Sequence, residues 1–213
     1  TDYLENGTAD HPQRRASYLQ LCADLLVEHV QYLCDAWHPD STENYRASFL
    51  RLDPDMALQK MLTGIGFLSK SELAGERIYT AYDNQNQEDE HSCFSDNTHR
   101  DLLTNVTGIK NVYTGTYVTA NGQKINGASL SELLEKIAPA VNAELLAHID
   151  SALATVAAIP VPFDQAIIRT ESRPKVLAAV LALQKLGDRL AGVAEMLRVP
   201  INTDLPNNKP PSN

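Results

Sequence analysis

Residues 173–199 read RPKVLAAVLALQKLGDRLAGVAEMLRV, and positions 176, 180, 183, 186, 190, 193 and 197 are all Val or Leu. Steps of three and four place those side chains on one face of a helix, whereas a strand would need alternation. Arg173-Pro174 suits a helix start and Pro200 suits a stop. The spacing therefore predicts one long amphipathic helix that needs an apolar surface to lie against.

Working outward, the same period recurs. In RRASYLQLCADLLVEHVQYLCDAW (14–37), positions 18, 22, 25, 26, 29, 33 and 37 share a face that is apolar except at His29. LDPDMALQKMLTGIGFLSKSELAGERIYTAY (52–82) opens with Asp53 as N-cap and Pro54 at the first helical position, and its stripe runs Leu58, Met61, Leu62, Ile65, Leu68. SLSELLEKIAP (129–139) holds a capping box, Ser129 with Glu132, and Pro139 stops or restarts the helix. AVNAELLAHIDSALATVAAI (140–159) repeats apolar residues at 141, 145, 149, 153 and 156. TGTYVTANGQKI (114–125) reads as a hairpin on a two-residue Asn121-Gly122 type I′ turn. Five or six such helices joined by short loops define an all-α, up-and-down helical bundle with a small β-hairpin between helices. The expected organisation is one helical domain over residues 1–200 and a flexible Pro/Asn-rich tail over 201–213.

Composition narrows the classes of function. The chain has 213 residues, 18 Lys+Arg against 27 Asp+Glu and a net charge of −9, without a basic stripe, which argues against nucleic acid as a partner. No run of 18 apolar residues is present, so no transmembrane segment is expected. The opening TDYLENGTAD has neither Met nor a signal pattern and reads as the interior of a longer protein. Cys22 and Cys34 on one helix lie about 18 Å apart along its axis, beyond disulfide reach. With Cys93 they make an odd set without CxxC, expected to be buried free thiols.

Chemistry concentrates in EDEHSCFSDNTHRD (88–101), which leads into an apolar stripe at Leu102, Val106 and Ile109. Read as one helix, that stripe runs backwards onto Thr98/His99, Ser95, His91 and Glu88. The preceding stripe likewise continues through Leu68 onto Glu72, Glu76 and Tyr79. Two adjacent helices would thus turn polar inward, and buried carboxylates need partners, so the pattern points to a shared polar cavity. Glu88-x-x-His91 has the spacing of bundle metal ligands. Asp96 and Arg100 suit an ion pair on the helix surface. Asp83, Asp89, Glu90 and Asp101 read as solvated surface, His29 as a hydrogen-bonded core histidine, and Glu144 with His148 as a surface pair. No HExxH, GxSxG, GxGxxG or P-loop motif is present.

SELAGERIYTAYDNQNQEDEHSCFSDNTHRDLLTNVTGIKNVYTG (71–115) resembles the signature block of the imelysin family, the insulin-cleaving, iron-regulated envelope proteins of bacteria. NYRASFL (44–50), IPVPFDQAI (159–167) and the closing helix extend the resemblance over residues 10–200. The resemblance implies an all-helical fold, a periplasmic or outer-membrane location, a role in iron uptake and a metallopeptidase label. The family's Gly-x-His-x-x-Glu motif is absent, since none of the six histidines is followed by Glu three residues on. The chain is therefore similar to the C-terminal portion of such a protein, with the N-terminal half as the missing partner. The matching block implies iron or zinc ligands among Glu72, Glu76, Glu88, His91 and His99, supported by Arg77, Ser95 and Asp96. Three functions stay open: a protein that binds metal or an iron-bearing ligand, a metallopeptidase activating water on a metal, and an interaction scaffold with a satisfied polar network.

Overall fold

The computed structural model describes Tyr3 and residues 7–203. Contacts divide the chain into two compact units, Thr1–Ala57 and Leu58–Asn213, with the boundary inside helix α3. The all-α class holds, with nine α-helices among the described residues and one two-stranded hairpin.

The first unit contains α1 (Pro12–Ala36) and α2 (Tyr45–Leu50). Asn44 caps α2 by accepting from Ala47 N–H at 3.0 Å. Trp37, Tyr45 and Phe49 form a small aromatic cluster with centroids 5.2–6.4 Å apart. The helix over residues 14–37 forms as its period requires, but no residue of α1 is buried. His29 is exposed, so it is no core histidine, and Cys22 and Cys34 are exposed free thiols, not buried ones.

The second unit is built around α9 (Arg173–Met196), whose buried face holds Val176, Val180, Leu183, Leu186, Leu190 and Val193 of the predicted stripe. Against it pack the π-helical stretch Leu68–Tyr79, which continues α3 (Pro54–Phe67), and α7 (Pro139–Ala157). The contact with the π-helical stretch is close. A Cβ at Gly187 would sit 2.5 Å from Lys70 Cβ, and the buried Ser69 hydroxyl donates to Leu183 O at 2.7 Å. Asp53 caps α3 through Asp55 N–H at 3.0 Å, and Ser129 caps α6 (Leu130–Ile137) through Glu132 N–H at 3.0 Å. Pro139 then restarts the chain as α7. A buried amide, Asn142, ties three helices together. It accepts from Tyr113 OH of α5 (Thr98–Thr114) at 2.6 Å and from Ser131 at 3.0 Å, and donates to Glu135 at 2.8 Å. Burial, with the Glu135 charge adding to it, pushes the Tyr113 hydroxyl up to about 12.

The hairpin pairs β1 (Thr116–Val118) with β2 (Lys124–Asn126), Val118 opposite Lys124. Its turn is not type I′. Within the turn only Gly122 has a positive φ, 82°, and Gly122 N–H reaches Thr119 O at 2.9 Å while Thr119 N–H reaches Gln123 O at 2.9 Å. That is a three-residue loop closed by a left-handed glycine. The first residues of the expected tail are docked: Thr203 is buried and its carbonyl accepts from Ser71 Oγ. Residues 204–213, the rest of that tail, lie outside the described residues.

Candidate functional site

The signature block divides at Gln85. There the backbone turns left-handed at φ 52° and ends α4 (Thr80–Asn84). Residues 87–89 form one 3₁₀ turn, residues 90–97 are loop, and α5 begins only at Thr98. The helix read from residue 88 is therefore corrected, and short polar side chains explain why. Asn86 Oδ1 accepts from Glu88 N–H at 3.3 Å. Asp89 accepts from Asn84 at 2.9 Å and from Asn86 at 3.3 Å. Thr98 Oγ1 accepts from Ser92 N–H at 3.0 Å, and Asp101 accepts from Asn97 at 3.1 Å and from Ser92 Oγ. Such bonds offer the backbone an alternative to the helix. The Glu88-x-x-His91 pair loses its helical geometry; both residues are exposed. Asp96, at φ 52°, lies ahead of the helix and is not spaced on it with Arg100.

The preceding polar switch is also corrected. Through the π-helical stretch the buried positions run Ser69, Leu73 with Ala74, then Ile78. Wider turns closed by i→i+5 bonds, such as Thr80 N–H to Gly75 O, advance the inward face by an extra residue. Glu76 and Tyr79 consequently face water. Glu72 is half-buried and pairs with Arg77, Oε2 to Nη2 at 3.0 Å. Ser95 is exposed and donates back to Ser92 O at 3.3 Å.

What the structure does bury is Glu90, read from sequence as solvated. It is 6% exposed, and neither carboxyl oxygen makes a hydrogen bond of good geometry. Burial raises its pKa; the Thr98 hydroxyl offsets this in part, and the charges of Asp164 and Asp96 push it further up. Asp164 stands on α8 (Phe163–Ile168). Its Oδ2 accepts from Gln165 at 3.0 Å, while its Oδ1 is buried without a partner. His99, half-buried on the first turn of α5, likewise has a buried, unpartnered Nδ1. The site thus comprises a poorly compensated acid with a second carboxylate in its field.

Of the expected ligands, only His99 presents a buried atom without a hydrogen bond. Among the described residues, no three His, Cys, Asp or Glu side chains gather closely enough to hold a metal ion, so Glu72, Glu76, Glu88, His91 and His99 do not form one ligand set. Glu90 and Asp164 are the donors that sequence reasoning missed. Their one sequence signal is Asp164's place inside IPVPFDQAI. Glu144 and His148 do form a pair, at 3.6 Å, with Arg189 2.7 Å from the same Glu144 oxygen.

Residues 1–190 match the family model described as Imelysin, and the chain belongs to the imelysin family. No curated protein matches it. Among the described residues, no helix is long and apolar enough to cross a membrane.

Proposed function

We propose that this imelysin chain binds a metal ion, or a ligand bearing iron, through the carboxylates of Glu90 and Asp164, and serves iron uptake in the periplasm or at the outer membrane. The observation that carries this reading is the carboxyl group of Glu90, nearly sealed from water and without a hydrogen bond of good geometry. A buried anion in that condition is costly unless a proton or a cation joins it. The unpartnered Asp164 Oδ1 and His99 Nδ1 are hard oxygen and imidazole donors of the kind that iron and zinc take.

Two carboxylates do not complete an iron or zinc site. In this reading the N-terminal half of an imelysin protein, with its Gly-x-His-x-x-Glu motif, supplies the remaining ligands. A bound metal would supply a Lewis acid; Glu90 and Asp164 hold the cation, and Arg77 holds Glu72.

Titrating the chain with Fe²⁺ and, separately, Zn²⁺ by calorimetry tests the proposal. Saturable binding is expected, weakened at least tenfold in Glu90→Gln and in Asp164→Asn. Binding that neither variant disturbs, or no heat at all, would remove these residues from a metal site. The metallopeptidase alternative is tested in the same samples, by chelator-sensitive turnover of a protein substrate.

A further inference from the structure

Asp164 is engaged from one side only. Its Oδ2 accepts from Gln165 Nε2 at 3.0 Å, and Gln165 Oε1 in turn accepts from Arg169 Nη2 at 3.3 Å. Asp164 and Gln165 stand on α8, and Arg169 closes the end of that helix. Gln165 and Arg169 are four residues apart, the spacing at which side chains on a helix surface meet. Chemistry fixes the order of this chain of bonds. A guanidinium only donates and a carboxylate only accepts. The amide between them satisfies both only with its oxygen toward Arg169 and its N–H toward Asp164. Arg169 thus orients Gln165, and Gln165 occupies one oxygen of Asp164.

The result is a division within a single carboxylate. Oδ2 is spent on a neighbour in its own helix, while Oδ1 is buried with no hydrogen-bond partner. The charge of Asp164 reaches Glu90, whose two carboxyl oxygens are buried without a bond of good geometry. An unengaged Asp side chain can grip a cation through both oxygens. This one has a single oxygen left to give.

We propose that Gln165 is a positioning residue that makes Asp164 a one-oxygen ligand and thereby sets which cations the Glu90–Asp164 site accepts. The proposal rests on the cation-binding reading given above. Denticity matters because ions differ in how many oxygens they need. Ca²⁺ collects about six to eight oxygen ligands and often takes a carboxylate by both oxygens. Zn²⁺ closes its shell with about four ligands. Withholding Asp164 Oδ2 therefore costs Ca²⁺ more than Zn²⁺, and the site selects against the larger ion without any added group. If Gln165 merely tidied the end of α8, its removal would change the binding of both ions by one common factor or not at all.

Calorimetric titration of the full chain with Zn²⁺ and, separately, Ca²⁺ tests this in the wild type, Gln165→Met and Arg169→Ala. Met keeps the length of the side chain and removes the donor. The ratio of Zn²⁺ to Ca²⁺ affinity should fall at least tenfold in Gln165→Met, chiefly through tighter Ca²⁺ binding. Arg169→Ala, which loosens the amide without removing it, should move the ratio the same way by less. The Ca²⁺ binding gained should vanish when Asp164→Asn is added. Gln165 is only half-buried and Arg169 is exposed, so circular dichroism should be retained; were Gln165→Met to unfold, Arg169→Ala carries the same test. An unchanged ratio, both ions weakened by one factor, or Ca²⁺ binding indifferent to Asp164→Asn would overturn the role of Gln165 and leave the cation site standing, so long as Zn²⁺ binding still responds to Glu90→Gln. A wild type that binds no Zn²⁺ would overturn the cation site and this proposal together.

Discussion

Replacing Glu90 by Gln changes one oxygen to an amide nitrogen and removes one charge, so it isolates what the buried carboxylate does to the fold. In the wild type the folded-state pKa lies above the ordinary value of 4.5, first because of burial and then because Asp164 and Asp96 add negative charge. Below the unfolded pKa the carboxyl is neutral in both states and exerts no penalty. As pH rises, the unfolded chain ionises first and gains from it, so the native state loses stability until pH has passed the folded pKa. At pH 7.5 the wild type therefore carries a penalty that Gln lacks. An unsatisfied buried polar group costs about 1–3 kcal/mol, and Gln remains polar and poorly partnered, so we expect a gain of about 1 kcal/mol. For a unit of this size that raises Tm by about 2–4 °C.

Urea denaturation of both proteins between pH 4 and 8 measures it. The two curves should converge near pH 4 and separate as pH rises, with Glu90→Gln the more stable. A variant that is less stable at pH 7.5 would show that a donor holds Glu90 in the native state. A difference independent of pH would show that its charge does not matter. Either result removes the uncompensated carboxylate on which the proposed cation site rests.

Three further outcomes follow from the packing. Asn142→Leu should cost about 2–4 kcal/mol, because Tyr113 OH loses its 2.6 Å acceptor inside the core and Glu135 loses its amide donor; chemical denaturation gives the value. Gly187→Ala should cost about 1–3 kcal/mol by overpacking, since the new Cβ would meet Lys70 Cβ at 2.5 Å and backbone atoms at 3.3 Å. Glu72→Leu should destabilise by roughly 1 kcal/mol, as it strips the partly buried Arg77 of its carboxylate; a stabilised variant would show that the pair does nothing for the fold.

The helices that pack on one another through ordinary α-helical turns were legible because a single period governs them. The Val176 to Val193 stripe and the Leu145, Ile149, Val156 face of α7 lie where their spacing put them. Legibility failed where the period itself changed. From Leu68 the helix widens, and a face extrapolated at 3.6 residues per turn lands on Glu72 and Glu76 while the true interior passes through Leu73, Ala74 and Ile78. It failed again at residues 86–97, where Asn, Asp and Thr side chains hold the backbone out of the helix. The α1 period was correct and its burial was not, since a repeat shows which face is apolar and not what covers it.

The same residues explain why the donors were misassigned. Seen as a string, 88–101 offers many metal ligands, and a helical reading selects Glu88, His91 and His99 by spacing. Folded, the block spends two of its acids on its own loop. Asp89 is held by Asn84 and Asn86, and Asp101 by Ser92 and Asn97. A carboxylate already bonded twice has little left for a cation, whereas the Glu90 carboxyl and Asp164 Oδ1 are buried without a bond of good geometry. Ligand capacity follows from what remains unspent after folding, a quantity fixed by tertiary contact with α8 some seventy residues away. No spacing rule applied to the block alone could have reached it.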